Sequence, residues 1–519
     1  MQQINNKVII NKDIINKDMP NKDILNKDMP DKNNKDIINQ NNKDIQNQNN
    51  KDMPNKANKD IEINQHASIT QSINGFSLQE RDKDTIAFRT NFAQNLLKGG
   101  ILKPLINFNN IEDTEIFKYG NHGNKTKDTR YLLDKRVYDF NNVINNIGGK
   151  LYYIKSGSTG HTFKSIIESQ DGGEPLTYAV KVVAYPKKNK YNYIYDSERP
   201  ENAEIMMIRL LSYFIVNKQT PHIVLPIATF NTSIQPFLKL MDENVIDNSD
   251  KKYVEFLDNY KEGMFHDEVS ILISEWANRG DLLDYIRKNY MKFQLIHWKV
   301  FFFQIISTLA VIQSKFPSFR HNDMKANNIL IHKISRDKPK FNYRVLRKNY
   351  SIPNIGYSIK LWDFDFACIP NVVNNIKVSL DWTKPINVTP VKNTYYDIHY
   401  FFNTLVFTGF FPKFMTSDTV PDQVKEFVCR VVPEKYRTVV CIHNNEKNDK
   451  QDKKEKPEKK PEKKSKKKCK PNKEELDNEK PICDCHKLVH ERGRLLENNE
   501  FITPGELLND VFFKEFLVE

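Results

Sequence analysis

The sequence predicts an α+β fold in two parts: a small β-rich lobe with one helix, then a larger helical lobe, preceded by a tail with no core of its own. Three observations carry this. Short β-branched runs separated by Gly, Ser and Asp turns fill residues 150–277. Apolar residues spaced by three and four take over from about residue 278. Ahead of both, residues 1–65 repeat Asn-Lys-Asp units such as Asn16-Lys17-Asp18-Met19-Pro20, with isolated Ile and Met and no aromatic residue. A segment of that kind cannot bury enough apolar surface to offset its chain entropy, so a disordered tail is expected. Its repeat is also far too short for a stacked solenoid.

The formal charge of +13 is unevenly placed. Residues 447–473 hold 14 lysines against five acids, whereas residues 1–65 are nearly balanced, with 11 lysines against ten acids. The basicity therefore belongs mainly to one Lys/Pro/Glu tract, read as a solvated insertion, with an anionic partner as the other reading. Six scattered cysteines make no disulfide framework. Cys483-Asp484-Cys485-His486, with Cys469 as a fourth donor, has zinc-ligand chemistry, but free thiols in an irregular segment are the simpler reading. The first residues lack the apolar stretch of a signal peptide. The apolar run 295–316 is broken by His297, Lys299, Gln304 and Gln313, which points to a buried helix and to no transmembrane segment. A soluble protein in a reducing compartment is the expectation.

The elements follow in order. Residues 66–149 are mixed and carry no recognisable chemistry; they are expected to form an extension packed on the main domain, residues 150–519. In the small lobe, 150–277, strands are expected at 151–154, 163–168, 176–183, 223–230 and 269–274. A helix at 200–217 is marked by Ile205, Ile208, Leu211 and Ile215. In the large lobe, 278–519, helices are expected at 282–289, 297–315 and 397–407. Strands at 328–332 and 358–362 flank a basic insertion at 333–357. A closing helix is expected from Thr503-Pro504 to Phe512-Phe513.

Three stretches carry chemistry. Gly157-Ser158-Thr159-Gly160 lies between two strands, where glycines let backbone amides approach phosphate oxygens; taken alone a plain hairpin turn is the better reading, and its value rises because Lys181 follows on the next strand. Lys181, in Tyr178-Ala179-Val180-Lys181, sits inside an apolar strand, which is costly unless the ammonium meets an anion. Glu204, beside the buried stripe of the first helix, is its best partner, with Glu198 and Glu201 as competitors. The most specific stretch is His321-Asn322-Asp323-Met324-Lys325-Ala326-Asn327-Asn328, followed by Asp363-Phe364-Asp365. Asp323 suits accepting or orienting a hydroxyl proton, and Lys325 suits neutralising a migrating phosphoryl group. Asn328 and Asp363 offer a neutral and a charged oxygen to Mg2+. A polar surface loop would not explain why apolar strands frame both acids.

These residues resemble those of eukaryotic-type serine/threonine protein kinases. The Asp363-Phe364-Asp365-Phe366 form and Thr220-Pro221-His222-Ile223-Val224 are similar to the virion-associated kinases of poxviruses and related giant DNA viruses. The resemblance spans about residues 150–430 and the last 30 residues. It implies a two-lobed protein kinase-like fold, ATP and Mg2+ as cofactors, protein substrates, and a place in the host cytoplasm or the virion. By position, Ile154 to Thr162 is similar to the glycine-rich loop, with Gly157 and Gly160 at its second and third glycines. Lys181 and Glu204 are similar to the phosphate-binding lysine and its helix partner. Ser274 would be the gatekeeper, the backbone of Glu275 and Ala277 would meet adenine, and Asp281 would lie near the ribose. Asp323 is similar to the catalytic base, Asn328 and Asp363 to the metal ligands, and Asp397 to the buried aspartate beneath the catalytic loop.

Three residues depart from the family pattern. Lys155 stands at the first glycine of the loop. Asn322 replaces the arginine that pairs with a phosphorylated activation loop, and Asp365 replaces a flexible glycine. No Ala-Pro-Glu closes the activation segment; residues 387–393 stand there instead. These departures motivate one rival reading, a pseudokinase that keeps the fold and binds ATP without turnover. The lysine tract motivates another, a nucleic-acid-binding protein.

Overall fold

The computed structural model describes residues 10–11, 85–106, 127–157, 159–169, 174–247, 249–406, 411, 413–437, 488–490, 492–498 and 500–518. Most of the repeat tail and the lysine tract lie outside these residues, as do Ser158, Cys469, Cys483, Cys485 and His486. Among the described residues, no group of three or more His, Cys, Asp or Glu could hold a metal ion by itself.

Five antiparallel strands build the first lobe: β1 (Lys150–Gly157), β2 (Gly160–Ile167), β3 (Leu176–Pro186), β4 (Pro226–Ser233) and β5 (Phe265–Glu275). Their spatial order is β1-β2-β3-β5-β4. Along β3, Tyr178, Val180, Val182 and Ala184 are buried, so the strand's two-residue period sends Lys181 to the other face. One helix, α3 (Pro200–Val216), starts with Pro200 in its first turn and buries nearly its whole length.

Three helices of eight or more residues in and before this lobe exceed the sequence reading. Helix α1 (Ile86–Leu96) is capped by Thr85, and α2 (Phe140–Ile147) by Asp139. Helix α2 buries Phe140, Val143, Ile144 and Ile147, a spacing of three and four that marks an amphipathic helix. The polar insertion after β4 holds α4 (Lys251–Lys261), whose apolar face rests on Tyr253 and Phe256 and is too narrow to announce a helix. Asp250 caps α4, and its other oxygen accepts from the Tyr153 hydroxyl at 2.6 Å, tying the helix to β1.

The second lobe contains α5 (Leu282–Asn289), α6 (Leu295–Lys315), α7 (Tyr396–Val406) and α8 (Asp422–Val431). Helix α6 is the one helix among the described residues long and apolar enough to cross a membrane, and 78% of its most apolar window is buried in the core. Strand β6 (Ile329–Lys333) pairs antiparallel with β9 (Tyr357–Leu361). The basic insertion between them is a hairpin, β7 (Lys340–Val345) and β8 (Lys348–Pro353), extended by β10 (Leu517–Val518).

The closing run departs from expectation. A capping box between Thr503 and Glu506 starts α9 (Pro504–Leu507), but no continuous helix follows. Asp510 caps a separate 3-10 stretch, Val511–Phe516, accepting from the Phe512 N–H while its oxygens also take the Arg430 guanidinium. A second cap, three residues past Leu507, starts a new turn where the helix would have continued.

Burial gives the fold an acid sensitivity. It pushes His161 and His222 down to about 3 and His399 down to about 4, so all three are neutral when folded. An unfolded chain takes up these protons below the ordinary value near 6.5, while the folded chain does not. Their contribution to stability is therefore complete above pH 6.5 and declines as pH falls through the window towards 3 to 4. At pH 5 the loss is roughly 2 kcal/mol per histidine. Urea unfolding at pH 7 and pH 5 checks this: His161→Gln should show the smaller drop, and an unchanged drop would refute the assignment.

Candidate functional site

The site lies where the strand lobe meets the helical lobe. Parallel backbone bonding between Val224 and Leu361, and between Leu361 and His222, joins the two at this level. Lys181 Nζ donates to Glu204 Oε1 at 2.6 Å and lies 3.6 Å from Asp363 Oδ1. The two competitors are engaged elsewhere: Glu201 with Arg199 at 3.0 Å and Glu198 with Lys127 at 2.8 Å. Burial opposes both charges of the central pair. For Lys181 the carboxylates of Glu204 and Asp363 outweigh it and hold the ammonium above its usual range. For Glu204 burial prevails, aided by Asp363 and Asp365, and its carboxyl is raised. Three carboxylates thus gather near one lysine. Asp363 and Asn328 carry the oxygens that would hold Mg2+ there, a hard cation that takes carboxylate and amide oxygen ligands.

Asp323 is buried, and every partner of its carboxylate is a donor. Asn328 Nδ2 reaches Oδ2 at 2.7 Å and the backbone carbonyl at 2.9 Å. Lys325 Nζ stands 3.1 Å from Oδ2, and Arg494 Nη2 donates to Oδ1 at 2.5 Å. Burial alone would raise this carboxyl; Lys325 and Arg494 overcome it and hold it below its usual value. With its nitrogen committed to Asp323, Asn328 has its amide oxygen for a cation. Beneath the loop, Asp397 accepts from the N–H of His321 at 2.7 Å and of Asn322 at 2.9 Å. Burial raises the Asp397 carboxyl despite these bonds.

Asn322 and Asp363 both take left-handed backbone conformations, with φ of 62° and 66°. Asn tolerates this better than most residues, because its short polar side chain bonds locally. Here Asn322 Nδ2 donates to the carbonyls of Phe366 at 3.1 Å and Thr389 at 3.3 Å. Phe364 is buried beside His321, ring centroids 5.1 Å apart, which turns Asp363 towards Lys181. Asp365 has no positive φ, so glycine is not needed there, and its carboxylate pairs with Lys377.

In the glycine loop, β1 bulges at Ile154, Gly157 pairs with Gly160, and Thr162 pairs with Lys181. The Thr159 carbonyl accepts from the Ala184 N–H at 2.7 Å. A Cβ on Gly160 would lie 1.9 Å from the Val182 carbonyl oxygen, so strand packing alone requires that glycine. At the lobe junction Ser274 is buried. The Glu275 N–H donates to the Leu225 carbonyl at 3.0 Å, and the Ser274 hydroxyl lies 3.4 Å from the Glu275 carbonyl. Ala277 follows, also buried, and Asp281 caps α5 by accepting from the Asp284 N–H at 3.0 Å.

Sequence reading missed three arginines. Arg320 donates to Asn387, Thr389 and Val391 and lies over the Tyr396 ring, anchoring the chain after the Asp363 segment. Arg89 of α1 grips Glu275 from behind, with two bonds of 2.7 Å. Arg494 reaches Asp323 from 171 positions away. Arg320 adjoins the motif and could have been noticed; nothing in the sequence marks the other two.

A strand lobe and a helical lobe with this donor set between them define a class, the phosphotransferases that act on nucleoside triphosphates. Comparison with known proteins narrows it. Residues 184–447 match the poxvirus serine/threonine protein kinase family. A protein of Acanthamoeba polyphaga mimivirus assigned as a serine/threonine-protein kinase is 47% identical over 388 residues, covering 73% of this chain and 79% of its own. A Dictyostelium discoideum protein similarly assigned is 33% identical over 109 residues, 20% of this chain and 9% of its own. The chain belongs to the poxvirus-type serine/threonine protein kinase family.

Proposed function

We propose that this protein transfers the γ-phosphoryl group of ATP to serine or threonine hydroxyls of protein substrates. The observation that carries the reading is the closed Lys181–Glu204 pair, with Asp363 3.6 Å away. The Asp363 charge acts in turn on the buried Asp323, whose carboxyl Lys325 and Arg494 hold below its usual range. In this mechanism Lys181 holds the α and β phosphates, and backbone amides of the loop from Ile154 to Thr162 close over them. The Glu275 carbonyl and the Ala277 N–H meet the adenine, and Asp281 lies near the ribose. Mg2+, held by Asp363 and Asn328, would neutralise charge across the triphosphate. Asp323 orients the substrate hydroxyl and takes its proton as the new O–P bond forms, while ADP departs with the electrons of the broken one. Lys325, within reach of Asp323, neutralises the transferred group.

Regulation without a phosphorylated loop belongs to the same reading. The chain after Asp363 is already fastened by Arg320, Asn322 and Lys377. The host cytoplasm or the virion is the proposed setting, and an anionic partner is proposed for the lysine tract.

The direct test is incorporation of labelled phosphate from ATP into a generic protein substrate. Lys181→Ala should lower it by about 100-fold or more, since it removes a charge fixed against the phosphates. Equal incorporation by wild type and variant would refute the assignment. A nucleotide-dependent melting shift without turnover in the wild type would favour the pseudokinase reading.

A further inference from the structure

Arg494 is the one buried guanidinium among the described residues that bonds to the Asp323 carboxylate, and its surroundings are built to hold it there. One terminal nitrogen donates to Asp323 Oδ1. The other donates to the Asn322 carbonyl and lies 3.3 Å from the Tyr396 hydroxyl. The guanidinium carbon sits 4.3 Å from the centre of the Tyr400 ring. The fork therefore spans a backbone carbonyl and the adjacent side chain, fixing the Asp323 carboxylate relative to its own main chain.

The segment that delivers it is tightly fastened. Val489 and Leu495 form a bridge around a turn at Gly493, whose φ is 81°. Asn403 Nδ2 donates to the Gly493 carbonyl at 2.8 Å, and Asn387 Nδ2 to the Leu495 carbonyl at 3.0 Å and to Asn498 Oδ1 at 3.1 Å. Asn393 Nδ2 adds a bond to the Glu497 carbonyl at 3.3 Å. Asn387 and Asn393 bound the stretch that stands in place of the missing Ala-Pro-Glu sequence. One short segment from beyond the lysine tract thus clamps the end of the activation segment and supplies a cation to Asp323.

We infer that Arg494 is a positioning residue for the catalytic base, supplied in cis by the segment at residues 488–500. The inference rests on the reading of Asp323 as that base. Its logic is a division of labour between two cations. Lys325 is needed at the transferred phosphoryl group, and a buried carboxylate that loses its only cation is strongly disfavoured. Arg494 lies on the opposite oxygen, so Asp323 stays oriented while Lys325 attends to the phosphate. An orienting contact of this kind acts on turnover more than on nucleotide binding.

The test uses the full chain, with steady-state kinetics on a generic protein substrate and ADP-dependent melting shifts. Arg494→Gln should lower kcat by about 10- to 100-fold, leaving KM for ATP and the ADP shift within about twofold. Arg494→Lys, which keeps the charge but not the fork, should recover part of the loss and keeps the test open if the glutamine variant folds poorly. Unchanged kcat would overturn the inference. So would an increase, which would mean that the arginine blocks the oxygen a substrate needs, and so would a fall matched by loss of ADP binding. Asp323→Asn is measured alongside: turnover near wild type there would refute the base itself. A dead Asp323→Asn beside a normal Arg494→Gln would refute only the positioning role.

Discussion

Asp323→Asn is expected to abolish most phosphoryl transfer while leaving nucleotide binding in place. The loss should be about 10^2- to 10^4-fold, the range for removal of a positioned general base. The reason is specific to this carboxylate. All three of its side-chain partners, Arg494, Lys325 and Asn328, are donors, and they occupy both of its oxygens. An amide offers one acceptor oxygen and one donating nitrogen, so whichever way it turns a donor faces a donor. The variant should therefore also lose about 1–3 kcal/mol of stability, the cost of an unsatisfied buried group. Single-turnover assays separate the two effects, because chemistry is read on the folded fraction already loaded with ATP. Single-turnover rates within threefold of wild type would rule out Asp323 as the base.

The second large effect is expected at Arg89, whose connection to the site is indirect. Its guanidinium makes two bonds to Glu275 and donates to the carbonyls of Pro221 at 2.9 Å and Ile223 at 2.8 Å. Lys360 lies 3.5 Å from the same carboxylate. Burial disfavours the Glu275 charge, but Arg89 and Lys360 reverse the balance and hold the carboxyl down at about 2. Its contribution to stability is therefore complete above the ordinary carboxylate range and is lost only as pH falls towards 2. Arg89→Ala should cost roughly 1–3 kcal/mol, short of the full penalty for a stranded buried charge because Lys360 and the Leu225 N–H stay on the same carboxylate. KM for ATP should also rise, because Glu275 is the last residue of β5 and in the proposed function its carbonyl meets the adenine. Denaturant melts of Arg89→Ala, Glu275→Gln and the double variant measure the coupling. Additive single effects would show that the pair does not act as a unit.

The local chemistry was legible because it is local. Asp323, Lys325 and Asn328 sit within six residues, on a loop running into a strand, and their spacing states their relation without a fold. Lys181 was legible for a different reason: a cation in an apolar strand implies a partner, and Glu204 lay beside the one helical stripe that the spacing of apolar residues marks in that lobe. Helix α2 could have been read from Phe140, Val143, Ile144 and Ile147. Helix α4 could not, because two buried aromatics do not make a period. The closing helix failed through competition between caps, since Thr503 and Asp510 each start a turn and neither wins the whole segment.

The sequence by itself determined the class of chemistry, the order of the two lobes and the identity of the acids and lysines gathered between them. Each of these follows from residue type and short spacing. Tertiary structure alone decided which distant cations complete the site. Arg89 secures the end of β5 from 186 positions away, and Arg494 meets Asp323 from 171. A single arginine in a polar stretch carries no periodicity and no motif. Its meaning arises only when folding removes water from around it and leaves one carboxylate within reach.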